Sequence, residues 1–434
     1  MTRRRRALAW VIAPALVAQL ATAPTAAARR EPIAGPVTTL STQGYAPVTV
    51  VDGEGTATVV WAAHYWRGPI RAARRPAGEG WSTPVTIGRG TNPVIGIDAA
   101  GVVTVLFSTN RRGFTTGLSA VRREPGRPWG RPKHLTNDRP AERYGPNGDE
   151  GIFGAHRADL AVSPGGDVVA VWQWGSDHRH RPYRIEAARR PNGGHWSEPR
   201  ALTRRDWSSD PEIGIDQTGR ATLVYHQDGS LVSRRLIPGD GWSGRIRLRG
   251  DAAVVDSDLV VTPDGDTTLM LHVYGRQDGA LAVMQRPPAG PWTGTRQLSP
   301  DGVVNIAGAV AAHGNGSVTV AWIRTTGRVD AVTWTDGTWS PPFQVTGAAQ
   351  NRAPQLAGSS TGDLVVWWQN ESLGIRARVR DAAGSWTSRF GMWPDARYYG
   401  SSAAAVYPDG DVLSVVHRAH RRDDDIRVRR VRVD

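Results

Sequence analysis

Six side chains carry the sharpest chemical pattern in this chain. Counting back seven residues from Gly166, Gly219 and Gly265 gives Asp159, Glu212 and Asp258; counting back nine gives Arg157, Asp210 and Asp256. Acidic groups that return at one position of successive segments share a site only if those segments lie side by side. If they do, Asp159, Glu212 and Asp258 are candidate catalytic residues, because paired carboxylates can act as general acid and base on a glycoside. The same oxygens could hold a cation. They also suit a plainer task, capping turns and accepting backbone N–H groups between neighbouring segments. Both readings stand at this point.

A second set mixes aromatic and polar groups: His64, Tyr65 and Trp66; Arg143, Tyr144 and Phe153; Trp174, Asp177, His178, His180 and Tyr183; Trp393, Arg397, Tyr398 and Tyr399. Rings interleaved with hydrogen-bonding groups suit a sugar, whose C–H face stacks on an arene while its hydroxyls find polar partners. From these sets the candidate ligand-binding residues are Tyr65, Trp66, Arg143, Tyr144, Arg157, Trp174, His178, Tyr183, Asp210, Asp256, Arg397 and Tyr399. The competing reading has the rings packing loops onto a scaffold. His178 and His180 with His156 could ligate a metal, but an arginine-rich loop is a poor setting. No metal and no cofactor is expected, and no nucleophile elbow, phosphate loop or zinc signature is present.

The elements that must position these residues come from a repeat. A turn glycine followed six residues later by a bulky apolar residue recurs at Gly55/Trp61, Gly101/Phe107, Gly166/Trp172, Gly219/Tyr225, Gly265/Leu271, Gly316/Trp322, Gly362/Trp368 and Gly410/Val416. A Trp, usually followed by Ser or Thr, recurs at Trp81, Trp129, Trp196, Trp242, Trp292, Trp339 and Trp386. Each unit of about fifty residues holds four short apolar runs broken by turns, the signature of a β-propeller. The last unit stops at Asp434 with three strands, and Pro36 to Ser41 (PVTTLS) is the candidate fourth. Strands from both termini would then share one blade and remove two open sheet edges. The expected fold is therefore all-β, an eight-bladed propeller of four-stranded antiparallel blades. Seven blades is the alternative, if a weak unit such as Ile306 to Thr346 merges or drops out.

In such a blade the one-to-two and three-to-four turns share one rim, and the remaining loops share the other. The first kind is regular here. The second kind varies, with Asn137 to Ala155 as its longest insertion, and variable loops on a rigid scaffold are where binding sits. Arg75/Trp81, Arg123/Trp129, Arg190/Trp196, Arg286/Trp292 and Arg380/Trp386 repeat one spacing across the three-to-four hairpin. That spacing would stack a guanidinium on an indole, a scaffold feature and not a ligand patch.

Residues 1–28 read as a signal peptide: basic Arg3 to Arg6, apolar Ala7 to Ala21, and a small-residue cleavage site at Ala21-Thr22-Ala23 or Ala26-Ala27-Ala28. Residues 31–434 read as a single propeller domain, secreted, with no anchor and no membrane span after leader removal. There is no cysteine, so a large core must replace disulfides. The net charge of +13 suits an anionic envelope polymer or carbohydrate as partner. Nucleic acid is a poor partner, because the arginines follow the repeat around a ring and no reading motif is present. A monomer is expected.

The Asp-x-x-Gly turns (Asp52 to Gly55, Asp98 to Gly101, Asp216 to Gly219), the apolar strand and the Trp make residues 36 to 434 resemble secreted bacterial β-propellers of the sialidase-like superfamily. That resemblance implies the propeller fold and leaves function open, since many functions share this repeat style. The Ser-x-Asp-x-Gly-x-x-Trp box is not matched, and Tyr183-Arg184-Ile185-Glu186 lacks the proline of the sialidase Arg-Ile-Pro segment, so no catalytic residue carries over. The expected function is an exported module that binds a glycan or other envelope ligand on the rim of long loops. The alternatives are a glycoside hydrolase or lyase using the three carboxylates, and a protein-interaction scaffold. If the periodic Trp is core, Trp196→Ala should cost roughly 3–5 kcal/mol in a denaturant titration, and under about 1 kcal/mol if it is surface decoration.

Overall fold

The turn glycines set the architecture. The computed structural model describes residues 31–434 except 66–67, 112–113, 137–152, 177–182, 205–206, 250–253, 275–278, 301–303, 395–398, 421–422 and 434. Gly55, Gly101, Gly166, Gly219, Gly265, Gly316, Gly362 and Gly410 all adopt left-handed φ, from 75° to 103°. Each donates its N–H to the carbonyl three residues earlier, as Gly166 does to Ser163 at 3.0 Å. An L side chain is disfavoured in that conformation, which is why glycine keeps the register of the repeat.

Among the described residues all regular structure is strand, arranged as antiparallel sheets that are mostly four strands wide. The third repeat is representative. Phe153–Val162 pairs with Val168–Ser176, that strand with Arg184–Arg190, and the last with Arg200–Ala201. Its first strand starts earlier than the sequence suggests, so Phe153 to Ala155 belong to the sheet and not to the insertion. The repeat from Asn305 to Thr346, suspected of dropping out, has its full set of strands. Repeats one and two are joined by one long strand, Val85–Ile97, which is fourth in one and first in the next.

The chain ends meet as expected. Thr38–Ser41 pairs antiparallel with Asp423–Arg432, with Thr38 opposite Val428 and Ser41 opposite Ile426. Ile33–Ala34 extends the same pairing to Arg432 and Val431. The first strands also touch in order: Tyr45–Val51 and Val85–Ile97, then Phe153–Val162, Ser209–Ile215, Val254–Val261, Asn305–Ala312, Gln355–Gly358 and Tyr399–Val406, which returns to Tyr45–Val51.

The core lies between the sheets. Second strands such as Ala57–Ala62 are buried along their whole length, so both faces need a neighbour. Trp61, Trp172, Trp322, Trp368, Tyr225 and Phe107 are among the largest fully buried side chains. Apolar clusters form between each pair of consecutive repeats, and one of them joins Leu413, Ile426 and Leu40 to Ala57 and Trp61 across the closure. The periodic Trp residues of the sequence are a different class. Trp81, Trp129, Trp196, Trp242, Trp292, Trp339 and Trp386 are all half-buried, each lying against the seam with the preceding repeat. Only Arg286/Trp292 among the five expected arginine–indole pairs shows the stacked contact among the described residues, at 5.2 Å.

This division corrects the expected cost of losing Trp196. Trp172→Ala should cost about 3–5 kcal/mol, and Trp196→Ala less, on the order of 1–3 kcal/mol. Urea unfolding of both variants checks it; equal costs would mean that the seam ring carries as much as the core ring.

Candidate functional site

Asp159, Glu212 and Asp258 occupy equivalent positions in three successive first strands, opposite Val171, Val224 and Met270. The other repeats place Val48, Val94, Ala309, Gln355 and Ala403 there. The carboxyls therefore crowd one arc of the inner wall. Asp159 accepts the Ile213 N–H at 2.9 Å, and Asp258 the Val310 N–H, also at 2.9 Å. Each carboxylate thus reaches the backbone of the next repeat, the plainer of the two roles the sequence allowed. Glu212 departs from this rule. Its Oε1 accepts from Ser257 Oγ at 2.7 Å, while Oε2 is enclosed without a hydrogen-bond partner.

Burial dominates the acidity of all three. It lifts Asp258 to about 7, with the charges of Asp159 and Asp256 adding to it and the Val310 and Leu259 amides opposing. Glu212 is held well above the usual carboxylate range, first by burial and then by Asp258. Asp159 is raised by burial, offset by its two amide donors from Ile213 and Leu160. The side chains nonetheless keep partial access to solvent, as expected of groups crowded along a narrow inner wall.

Two residues nearer the rim, Arg157 and Asp210, form an ion pair with each other. Both sit at bulges with left-handed φ, 45° and 52°. Asp256 is exposed and lies opposite His272. Trp174 is buried in the cluster between repeats two and three, and Trp393 is buried beneath Arg429 at 4.4 Å, so neither offers a free ring. Tyr183 is half-buried and packs over Gly175, where a Cβ would meet it at 2.6 Å. Tyr399 opens the strand Tyr399–Val406. Trp66, Arg143, Tyr144, His178 and Arg397 lie outside the described residues.

Tyr65 is different: it is 62 % exposed and borders a pocket of about 290 Å³. Tyr45, Asn92, Ser401 and His417 line the same pocket, drawing on repeats one, two and eight. The Tyr45 ring meets Tyr65 edge-on at 5.6 Å and His417 at 4.7 Å. Asp424 ties the group together, taking the Tyr45 hydroxyl on Oδ2 and His417 Nε2 on Oδ1 at 3.1 Å. That bond to Asp424 raises the Tyr45 pKa, with burial adding to it, and keeps the hydroxyl protonated. A Cβ at Gly400 would meet His417 Nδ1 at 2.6 Å, so glycine lets the imidazole stand at the wall. Tyr45, His417 and Asp424 escaped the sequence reading because they belong to opposite ends of the chain. Trp207 escaped it too; it is 48 % exposed with a left-handed φ of 56°, an unusual conformation for so bulky a residue.

No family model matches this chain, and no curated protein does. Solved structures do. The BP39L lectin from Burkholderia pseudomallei is 14% identical with a TM-score of 0.54, over 82% of this chain and 100% of the lectin. A post-proline cleaving enzyme from Rickettsia typhi is 9% identical with a TM-score of 0.50, over 87% of this chain and 58% of the enzyme. The fold is propeller-type. The polysaccharide lyase Uly1 is also similar, at 9% identity and a TM-score of 0.49, over 93% of this chain and 100% of the lyase. At such identities the likeness concerns architecture alone. Among the described residues no helix is long and apolar enough to cross a membrane, and no group of three His, Asp or Glu is arranged to hold a metal.

The carboxyl arc has a signed consequence for stability. Asp258 binds its proton more tightly folded than unfolded, so ionising it weakens the fold as pH rises from about 4 to about 7. Asp258→Asn should gain stability over the native chain at about pH 8 and lose that advantage toward pH 4. Urea unfolding at the two pH values reads the difference, and an advantage independent of pH would contradict it.

Proposed function

We propose that this chain is an exported, eight-bladed propeller that binds a carbohydrate at the Tyr45–Tyr65–His417 pocket. Support for the blade number and closure comes from the eight glycine turns, the cyclic contacts of the first strands and the pairing of Thr38–Ser41 with Asp423–Arg432. Residues 31–434 then form one domain, and export rests on the signal-peptide pattern of the leader.

The observation that carries the binding reading is an open pocket in which two tyrosine rings stand beside a His–Asp pair. Its volume of about 290 Å³ lies at the lower end of ligand pockets and suits a single sugar ring. Exposed Tyr65 can stack on the C–H face of that ring, while Asn92, Ser401 and His417 offer polar partners to its hydroxyls. The lectin among the similar structures uses a fold of this kind, which accords with the reading. Hydrolysis is less favoured, since Asp159 and Asp258 are each tied to the backbone of the next repeat.

The mature protein should bind a subset of neutral glycans on an array without cleaving chromogenic glycosides. Tyr65→Ala should weaken that binding roughly tenfold by calorimetry with the fold unchanged. Native affinity in Tyr65→Ala would remove the pocket from consideration, and turnover lost in Glu212→Gln would move the reading to hydrolysis.

A further inference from the structure

One position of the third strand lies opposite the residue four places after each turn glycine. In five repeats it is small or apolar, Ala73, Val121, Ala188, Met284 and Val332, and packs against the preceding repeat. In the other three it is an arginine: Arg234, Arg378 and Arg429. A charged head at an apolar seam needs something to meet its donors. Two of the three find it in the preceding repeat. Arg378 lies over the Phe343 ring at 5.3 Å, and Arg429 lies over Trp393 and donates to the Met392 carbonyl at 3.0 Å.

Arg234 has no such support. It alternates with Val232 and Leu236, which pack on Ile185 and Leu202 of repeat three, and its Nε is enclosed without a hydrogen-bond partner. The side chain borders a cavity of about 570 Å³ between repeats three and four. Arg204, on the link leaving repeat three, and Arg245, in repeat four, are exposed and border the same cavity. Ala201, Leu202, Thr203 and Gln227 complete the lining, so among the described residues no carboxylate there balances the three charges. The arginine-lined cavity at the chain closure differs in this respect. There Arg430 is held by Asp409 and Asp411, and Arg75 donates to the Glu79 carbonyl.

We propose that the cavity between repeats three and four binds an acidic carbohydrate, whose carboxylate or sulfate meets Arg234. A guanidinium is a planar fork of donors that matches such an oxyanion. Three of them around one cavity also draw a polyanion in from solution. The volume falls within the range of organic ligand pockets and far exceeds one inorganic anion, so the charged group arrives on a larger body. Thr203 and Gln227 put hydroxyl and amide groups in the wall, as a sugar requires, and no aromatic side chain lines it among the described residues. The site goes beyond the Tyr65 pocket, which repeats one, two and eight build, and stands independently of it.

Calorimetry on the mature chain at low salt tests the proposal with oligogalacturonate, its fully methyl-esterified form and a sulfated galactan oligomer. At least one acidic oligomer should bind, more weakly as salt rises, and the ester should bind roughly tenfold less tightly or worse. Whichever acid binds better identifies the oxyanion as carboxylate or sulfate. Arg234→Met should lower that acid's affinity roughly tenfold or more. Repeat five carries Met284 at the same place, so the seam accepts the substitution. Arg245→Ala, at an exposed position, should weaken binding in the same direction, and Tyr65→Ala should leave it unchanged. The site is overturned if neither acid binds, if the ester binds as tightly as the acid, or if both arginine variants keep native affinity. Oligoglutamate of equal affinity overturns the carbohydrate class. Loss of the acid in Tyr65→Ala alone assigns it to the other pocket and overturns this one, whereas acid binding by a chain that takes no neutral glycan supports this site and refutes the Tyr65 pocket.

Discussion

A sheet that is apolar on both faces cannot be stable alone, and this constraint organises the molecule. Ala57–Ala62, Ala221–Gln227, Val318–Arg324 and Leu364–Asn370 are buried almost end to end, so water must be kept from each side. Among the described residues, the surface that covers it belongs to the next repeat. Apolar clusters accordingly span consecutive repeats, as when Val365, Ile375 and Phe390 meet Val406, Val412 and Val431. Packing of this kind fixes the inner strands and leaves their ends at the rims free to vary.

Those free ends explain how the scaffold builds a site without disturbing its core. In the first four repeats the inner strand bulges near its start, and Ala46, Asn92, Arg157 and Asp210 take left-handed φ there. A bulge re-aims a side chain while the ladder resumes below it. In repeats one and two it yields small pocket walls, and in repeats three and four a rim ion pair. The acidic arc just below tolerates mutual repulsion because its oxygens also bridge neighbouring repeats. Burial shifts such carboxyls toward their protonated form, which is less costly than leaving three full charges in a confined space.

The sequence carries the fold plainly because its marks are local. A left-handed glycine and a buried ring six residues later are needed in every repeat, whatever the loops do. The terminal pairing was legible for the same reason, since a three-stranded remnant demands a partner. The half-burial of Trp196 was not legible, because a periodic indole at a seam and one in a core look alike in one dimension. Residue spacing placed Asp159, Glu212 and Asp258 correctly on one arc but said nothing of their backbone partners. Tyr45, His417 and Asp424 were invisible as a group: Asp424 reads as part of a solvated run of charges from Arg421 to Asp425, and its partner Tyr45 is 379 positions away.

The strand Thr38–Ser41 has a temporal meaning as well as a spatial one. Thr38–Ser41 is synthesised long before its partner Asp423–Arg432, so a chain that lacks the later strand cannot make this pairing. A ribosome releasing this polypeptide would hold the earlier strand unpaired until Asp423–Arg432 came free. Contacts of such long sequence separation form slowly. Synthesis of Asp423–Arg432 must therefore come before this pairing can form.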